Sequence, residues 1–99
     1  MNSNQASYLP PPELAAMIGK QIVVDTDSSY IYVGLLENAG ADYLALSGVD
    51  VHDTSGSKST KDAYAHETKK LGTRANRKLT YVRMARIVSI SLLDDVIGF

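Results

Sequence analysis

A chain of 99 residues has room for one domain with a modest core, and its 44% hydrophobic content is that of an ordinary folded protein. With no cysteine, disulfides, thiolate metal sites and cysteine nucleophiles are excluded, and a reducing compartment is expected. The net charge of −1 conceals an asymmetry: seven of the ten basic residues lie between Lys58 and Lys78, with only Asp62 and Glu67 opposing them.

The polar start, MNSNQASYLPPP, has neither a basic region nor an apolar core, so no signal peptide is read there, and residues 1–11 are expected to be a flexible lead. No apolar run approaches the roughly 18 residues of a membrane span, so the chain reads as soluble and cytoplasmic, without a membrane partner. Residues 12–99 are then one domain. PELAAMIGK predicts a helix over 12–18, with proline and glutamate in the first turn, Leu14, Met17 and Ile18 on one face, and Gly19 at the cap.

Three antiparallel strands follow. Ile22-Val23-Val24 leads through the turn residues Asp27-Ser28-Ser29 into Tyr30-Ile31-Tyr32-Val33; ENAGAD turns again, and YLALSGVDVH returns. Gly34, inside the second strand, allows a bend or a close backbone approach. The second strand is apolar on both faces and therefore needs cover on both, assigned here to the 12–18 helix and to a barrel interior.

An insertion over about 53–78 comes next. DTSGSKST is loop-like, and STKDAYAHETKKLG predicts a helix with Ser59 and Asp62 as an approximate capping box. Tyr64, Thr68 and Leu71 share its face, and Gly72 ends it. TRANRK reads as a basic turn. The polar composition predicts that this insertion projects from the domain and is partly mobile. Its charge can meet phosphates, or simply keep an exposed helix in water.

TYVRMARIVSI closes the pattern as two short strands divided by a tight corner, a feature of small barrels. The tail LLDDVIGF is apolar enough to dock, at an unspecified place.

No chemistry-bearing cluster emerges from the residues themselves. The serines lack a nearby histidine–acid arrangement, no glycine loop is built to cradle phosphate, and no catalytic residue is assigned. Asp50, His52, Asp53, His66 and Glu67 are metal-ligand types without a metal-ligand spacing, and they read as solvated polar residues. No cofactor or metal is expected, and the chain is not read as an enzyme.

The order of elements resembles the Sm-like (Sm/LSm) family. Gly19 to Leu46, with Gly34 and Leu36 at the bend, is similar to its first motif, and Val82-Arg83-Met84-Ala85-Arg86-Ile87-Val88-Ser89-Ile90 is similar to its second. The resemblance covers roughly residues 12–52 and 79–92. It implies a mainly β fold: an N-terminal helix on a small, strongly bent five-stranded antiparallel barrel of SH3-like type, here with a helical insertion.

The resemblance further implies a homo-oligomeric ring of five to seven subunits, with the fourth strand of one subunit paired to the fifth of the next. It also implies binding, or chaperoning, of single-stranded RNA near the pore. Arg83 matches the family's arginine. Tyr43 stands at the asparagine position, Ala39 at the aspartate position and Ala41 at the stacking position, while Asn38 lies one residue from its expected place. The expected nucleic-acid surface is Arg83, Tyr43, Asn38, Asp42 and Arg86, with Lys69, Lys70, Arg74, Arg77 and Lys78 acting on phosphates. Arg83 could instead be a strand-end arginine paired with Asp42 or with a neighbour's acid. The departures from the family pocket leave a second function open: a ring used as a structural or protein-interaction scaffold.

Overall fold

A computed structural model describes residues 8–56 and 59–98. Residues 1–7 of the expected flexible lead, and Lys58 of the basic segment, lie outside the described residues.

The chain is mainly β. A one-turn helix α1 (Pro12–Ala15) precedes strands β1 (Gln21–Thr26), β2 (Tyr30–Ala39) and β3 (Tyr43–Asp53). Helix α2 (Lys61–Leu71) interrupts them before β4 (Arg77–Arg83) and β5 (Ile87–Leu92), which are joined by the 3-10 turn Met84–Arg86. The five strands form one antiparallel sheet in the order β4-β3-β2-β1-β5, a small barrel-like arrangement.

Helix α1 is shorter than the apolar spacing predicts. The Met17 and Ile18 amides bond to carbonyls three residues back, tightening residues 16–18 into turns. Leu14 and Met17 still reach the barrel interior, whereas Ile18 is left exposed. Gly19 turns the chain with a φ of 85°, and its amide donates to the Leu36 carbonyl at 2.7 Å.

The sheet bends at Gly34. Pairing of β2 with β3 shifts register between Val33 and Leu35, and a Cβ at Gly34 would lie 3.1 Å from the Ser47 carbonyl oxygen and 3.3 Å from Val49 Cα. The missing side chain is what lets the two backbones approach there.

Alternation along the strands divides the apolar residues between two cores. Ile22, Val24, Leu36, Leu44, Leu46, Val49 and Val82 fill the barrel interior, capped by Leu14. Val23, Ile31 and Val33 point the other way and pack under Ala65 of α2 and Leu93 of the tail, with Tyr64 and Val96 at the margin. Cover on both faces is therefore present, but α1 serves the interior and α2 with the tail serves the outer face. The expectation of a projecting insertion is corrected: the period-2 apolar stripe of β1 and β2 demands a lid, and α2 supplies it.

The start of α2 also differs from expectation. Thr60, rather than Ser59, is the N-cap, its hydroxyl accepting from the Ala63 amide at 3.1 Å. Gly72 ends the helix with a φ of 94°. Tyr64 and Thr68 face inward, but Leu71 is exposed at the last turn. The stretch read as a basic turn is partly strand, since Arg77 pairs with Val49 and Leu79 with Ser47.

Candidate nucleic-acid interface and assembly edges

Two strands close the sheet without closing the barrel. Among the described residues, each of β4 and β5 has one hydrogen-bonded neighbour, β3 and β1 respectively, and they do not pair with each other although three residues connect them. Both therefore present a free edge of backbone N–H and C=O groups.

The corner between them is tied down on two sides. The Met84 amide donates to the Asp42 carbonyl at 2.8 Å, binding the corner to the β2–β3 turn. The Asp27 amide donates to the Arg86 carbonyl at 3.0 Å, and Arg86 Nε donates to the Asp27 carboxylate at 2.8 and 3.0 Å. Arg86 thus pins the β1–β2 turn to the corner. Its exposed ion pair adds little stability but fixes the arginine's direction.

Arg83 ends β4 directly across from Tyr43 at the start of β3. Among the described residues no hydrogen bond or ion pair engages its guanidinium, and the alternative pairing with Asp42 is not formed. Tyr43 and Tyr81 lie on the same outer face, their rings 6.3 Å apart and edge-on at 74°, both about half exposed or more. A broad groove of about 620 Å³ runs past them, lined by Tyr8, Leu9, Asn38, Asp42, Tyr43 and Tyr81. Arg83 opens instead onto a neighbouring groove with Tyr32, Tyr81 and Arg86, between the end of β4 and the β1–β2 turn. Asn38, Asp42 and Tyr43 are therefore brought together, and Tyr81 links them to Arg83 and Arg86.

The basic residues divide by what they touch. Lys69 donates to the carbonyls of Asp94 (2.9 Å) and Val96 (2.5 Å), clamping the tail to α2. Lys61 donates to Asp25 at 2.5 Å and to the carbonyls of Thr26 and Ser28, clamping the helix start to the β1–β2 turn. Lys70, Arg74, Arg77 and Lys78 remain exposed. Among the described residues, the Arg77 guanidinium donates only to the carbonyl of its neighbour Asn76.

Asp50 is buried and His52 half-buried, rather than both being solvated as the sequence leads one to expect. Asp50 accepts a short hydrogen bond from the Tyr64 hydroxyl; His52 stacks on the Tyr64 ring at 4.0 Å and 3°. Burial, reinforced by that bond to Asp50, pushes the Tyr64 phenol above its usual range. Asp53 is exposed and accepts from Ser29 and from the Ser55 amide, which hold its carboxyl below the usual range. Among the described residues no group of three or more metal-ligand side chains converges.

Sequence reasoning missed Asn76. Its amide side chain accepts from Val51 N–H and donates to Val51 C=O, and its own N–H reaches the Val49 carbonyl. It continues the β3 ladder beyond β4 as a side-chain imitation of a strand. Polar character alone marked it as a turn residue; nothing local signals a partner 25 positions away.

No family model matches the chain, and no curated protein does. Solved structures of similar fold include chains of the NatC complex. A chain of the NatC complex bound to CoA superposes with a TM-score of 0.55 at 20% identity, over 85% of this chain and 88% of that one. A chain of the NatC complex bound to Gag peptide and CoA gives 0.54 at 21% identity, over 80% and 89%. At that identity the likeness concerns the fold. No helix among the described residues is long and apolar enough to cross a membrane.

Proposed function

We propose that this chain is an Sm-like protein that assembles through β4 and β5 into a closed homo-oligomeric ring and binds single-stranded RNA beside the β4–β5 corner. The observation that carries the reading is the pair of free edges. They belong to consecutive strands on opposite ends of one sheet, so each copy offers two different surfaces. Contact between different surfaces propagates head to tail, and it closes when the rotation fits. Leu79, Tyr81 and Val88, exposed on those strands, gain cover in such an assembly.

The RNA reading rests on Arg83 and Tyr43, cross-strand partners beside the corner. A planar cation that no group among the described residues engages, across from a half-exposed aromatic ring, suits stacking on bases. Sedimentation or native mass measurement, followed by titration with uridine-, adenine- and cytidine-rich oligomers at two salt concentrations, tests both parts. A scaffold without RNA is favoured by one observation: Ala39, at the family's aspartate position, is buried and offers no hydrogen-bonding group. The NatC chains of similar fold come from a multi-subunit complex, which agrees with the scaffold reading. Absence of binding to every oligomer at low salt would leave the scaffold.

A further inference from the structure

Beside the free edge of β5 lies a groove that the barrel strands alone do not make. Its floor is Val23, Ile31, Ser89 and Ser91 on the outer sheet face. Its wall is the first half of α2, with Lys61, Asp62 and Ala65, and the tail residues Val96 and Ile97. The groove measures about 280 Å³, and Ile97 at its lip is 87% exposed although the tail beneath it is clamped by Lys69.

The opposite end of the sheet has the matching features. On β4, Val82 points into the barrel, so Leu79 and Tyr81 point outward; they are 51% and 62% exposed. The same strand begins with the exposed bases Arg77 and Lys78. Beyond β5, the chain enters Asp94 and Asp95, both exposed, and Asp62 stands exposed on the first turn of α2.

We infer that the α2–tail groove is a second tier of the contact between copies, receiving Leu79 and Tyr81 of a neighbouring copy while its acidic rim faces that copy's Arg77 and Lys78. The inference rests on the edge-to-edge assembly proposed above and adds a surface to it. Every pairing in this sheet is antiparallel. A neighbour's β4 added to β5 in the same sense sets its first residues, Arg77 and Lys78, against the end of β5 and Asp94–Asp95. The middle of that strand then lies beside Ser89 and Ser91, small side chains that leave room for Leu79 and Tyr81 under Ile97. Apolar contact and charge agree in one arrangement, which is why a second copy, rather than an unrelated partner, is the occupant. The insertion and tail thus have a role that the barrel alone does not give them: they choose like copies.

Charge exchange in the full chain tests the inference, with assembly followed by sedimentation over a range of protein and salt concentrations. Reversing either side alone, as Arg77→Glu with Lys78→Glu or as Asp94→Lys with Asp95→Lys, is expected to raise the concentration for half-assembly about tenfold at low salt. Combining all four substitutions is expected to restore most of that loss. Ile97→Ser is expected to weaken assembly at all salt concentrations. A wild type that assembles while both charge-reversed variants and Ile97→Ser assemble equally well would overturn the second tier and leave the edge pairing standing. A wild type that stays a single chain throughout would overturn the edge pairing and the second tier with it.

Discussion

The Tyr64 hydroxyl donates to the Asp50 carboxylate, joining the insertion helix to the third strand across 14 residues of sequence. Asp50 is buried beneath the helix, and this bond is what satisfies it. Removing the donor strands a desolvated carboxylate, whereas the ring can be kept. Tyr64→Phe should therefore cost about 1–3 kcal/mol in urea unfolding while retaining the stack on His52. Asp50→Asn, which keeps an acceptor, should cost less.

The same bond predicts an alkaline limit. The folded chain holds the Tyr64 proton more tightly than the unfolded chain does, chiefly through burial and then through Asp50. Its contribution is complete below about pH 10, where both states are protonated, and declines as pH rises beyond that. Thermal melts between pH 8 and 11 should show this decline in the wild type and less of it in Tyr64→Phe.

Replacing residues 54–77 by a short turn should not leave an intact domain. Loop closure itself changes slowly with length, but here the deletion bares Val23, Ile31 and Val33. Loss of cooperative unfolding, or aggregation, is expected. Ala65→Glu makes the same point with one residue, at about 2–4 kcal/mol by overpacking and by burying a charge.

Gly34→Ala places a methyl group against backbone atoms of β3, neither of which can rotate away. A loss of about 1–3 kcal/mol is expected from chemical denaturation. Gly56, with open space around it, should accept alanine at little cost.

Much of the fold was legible because its signals are local. Alternating apolar residues, the Asp27-Ser28-Ser29 turn and the bend at Gly34 each declare themselves within a few positions. What escaped is long-range. The place of α2 depends on the outward set Val23, Ile31 and Val33, and a polar helix gives no sign of which surface it covers. Lys69 shows the same limit in the candidate site: in sequence it is one of a run of bases, yet its ammonium clamps the tail carbonyls. Arg83 and Tyr43 were identified by resemblance and are cross-strand partners in the sheet.

For RNA, the two kinds of basic residue should separate. Arg83→Ala should weaken binding by about 1–3 kcal/mol and flatten base preference, as loss of stacking or edge contact does. Neutralising Lys70, Arg74, Arg77 and Lys78 should weaken all sequences alike and reduce the salt slope, although Arg77 and Lys78 require a control for assembly. Lys69→Ala should leave the slope unchanged and increase hydrogen exchange over residues 93–97.

If β4 and β5 are edges that pair with each other in different copies, the native mass of the full chain at micromolar concentration shows it. A single discrete species of several chains, reduced to one chain by Val88→Pro on the β5 edge, is expected. A wild-type mass of 10.7 kDa, one chain, would contradict it.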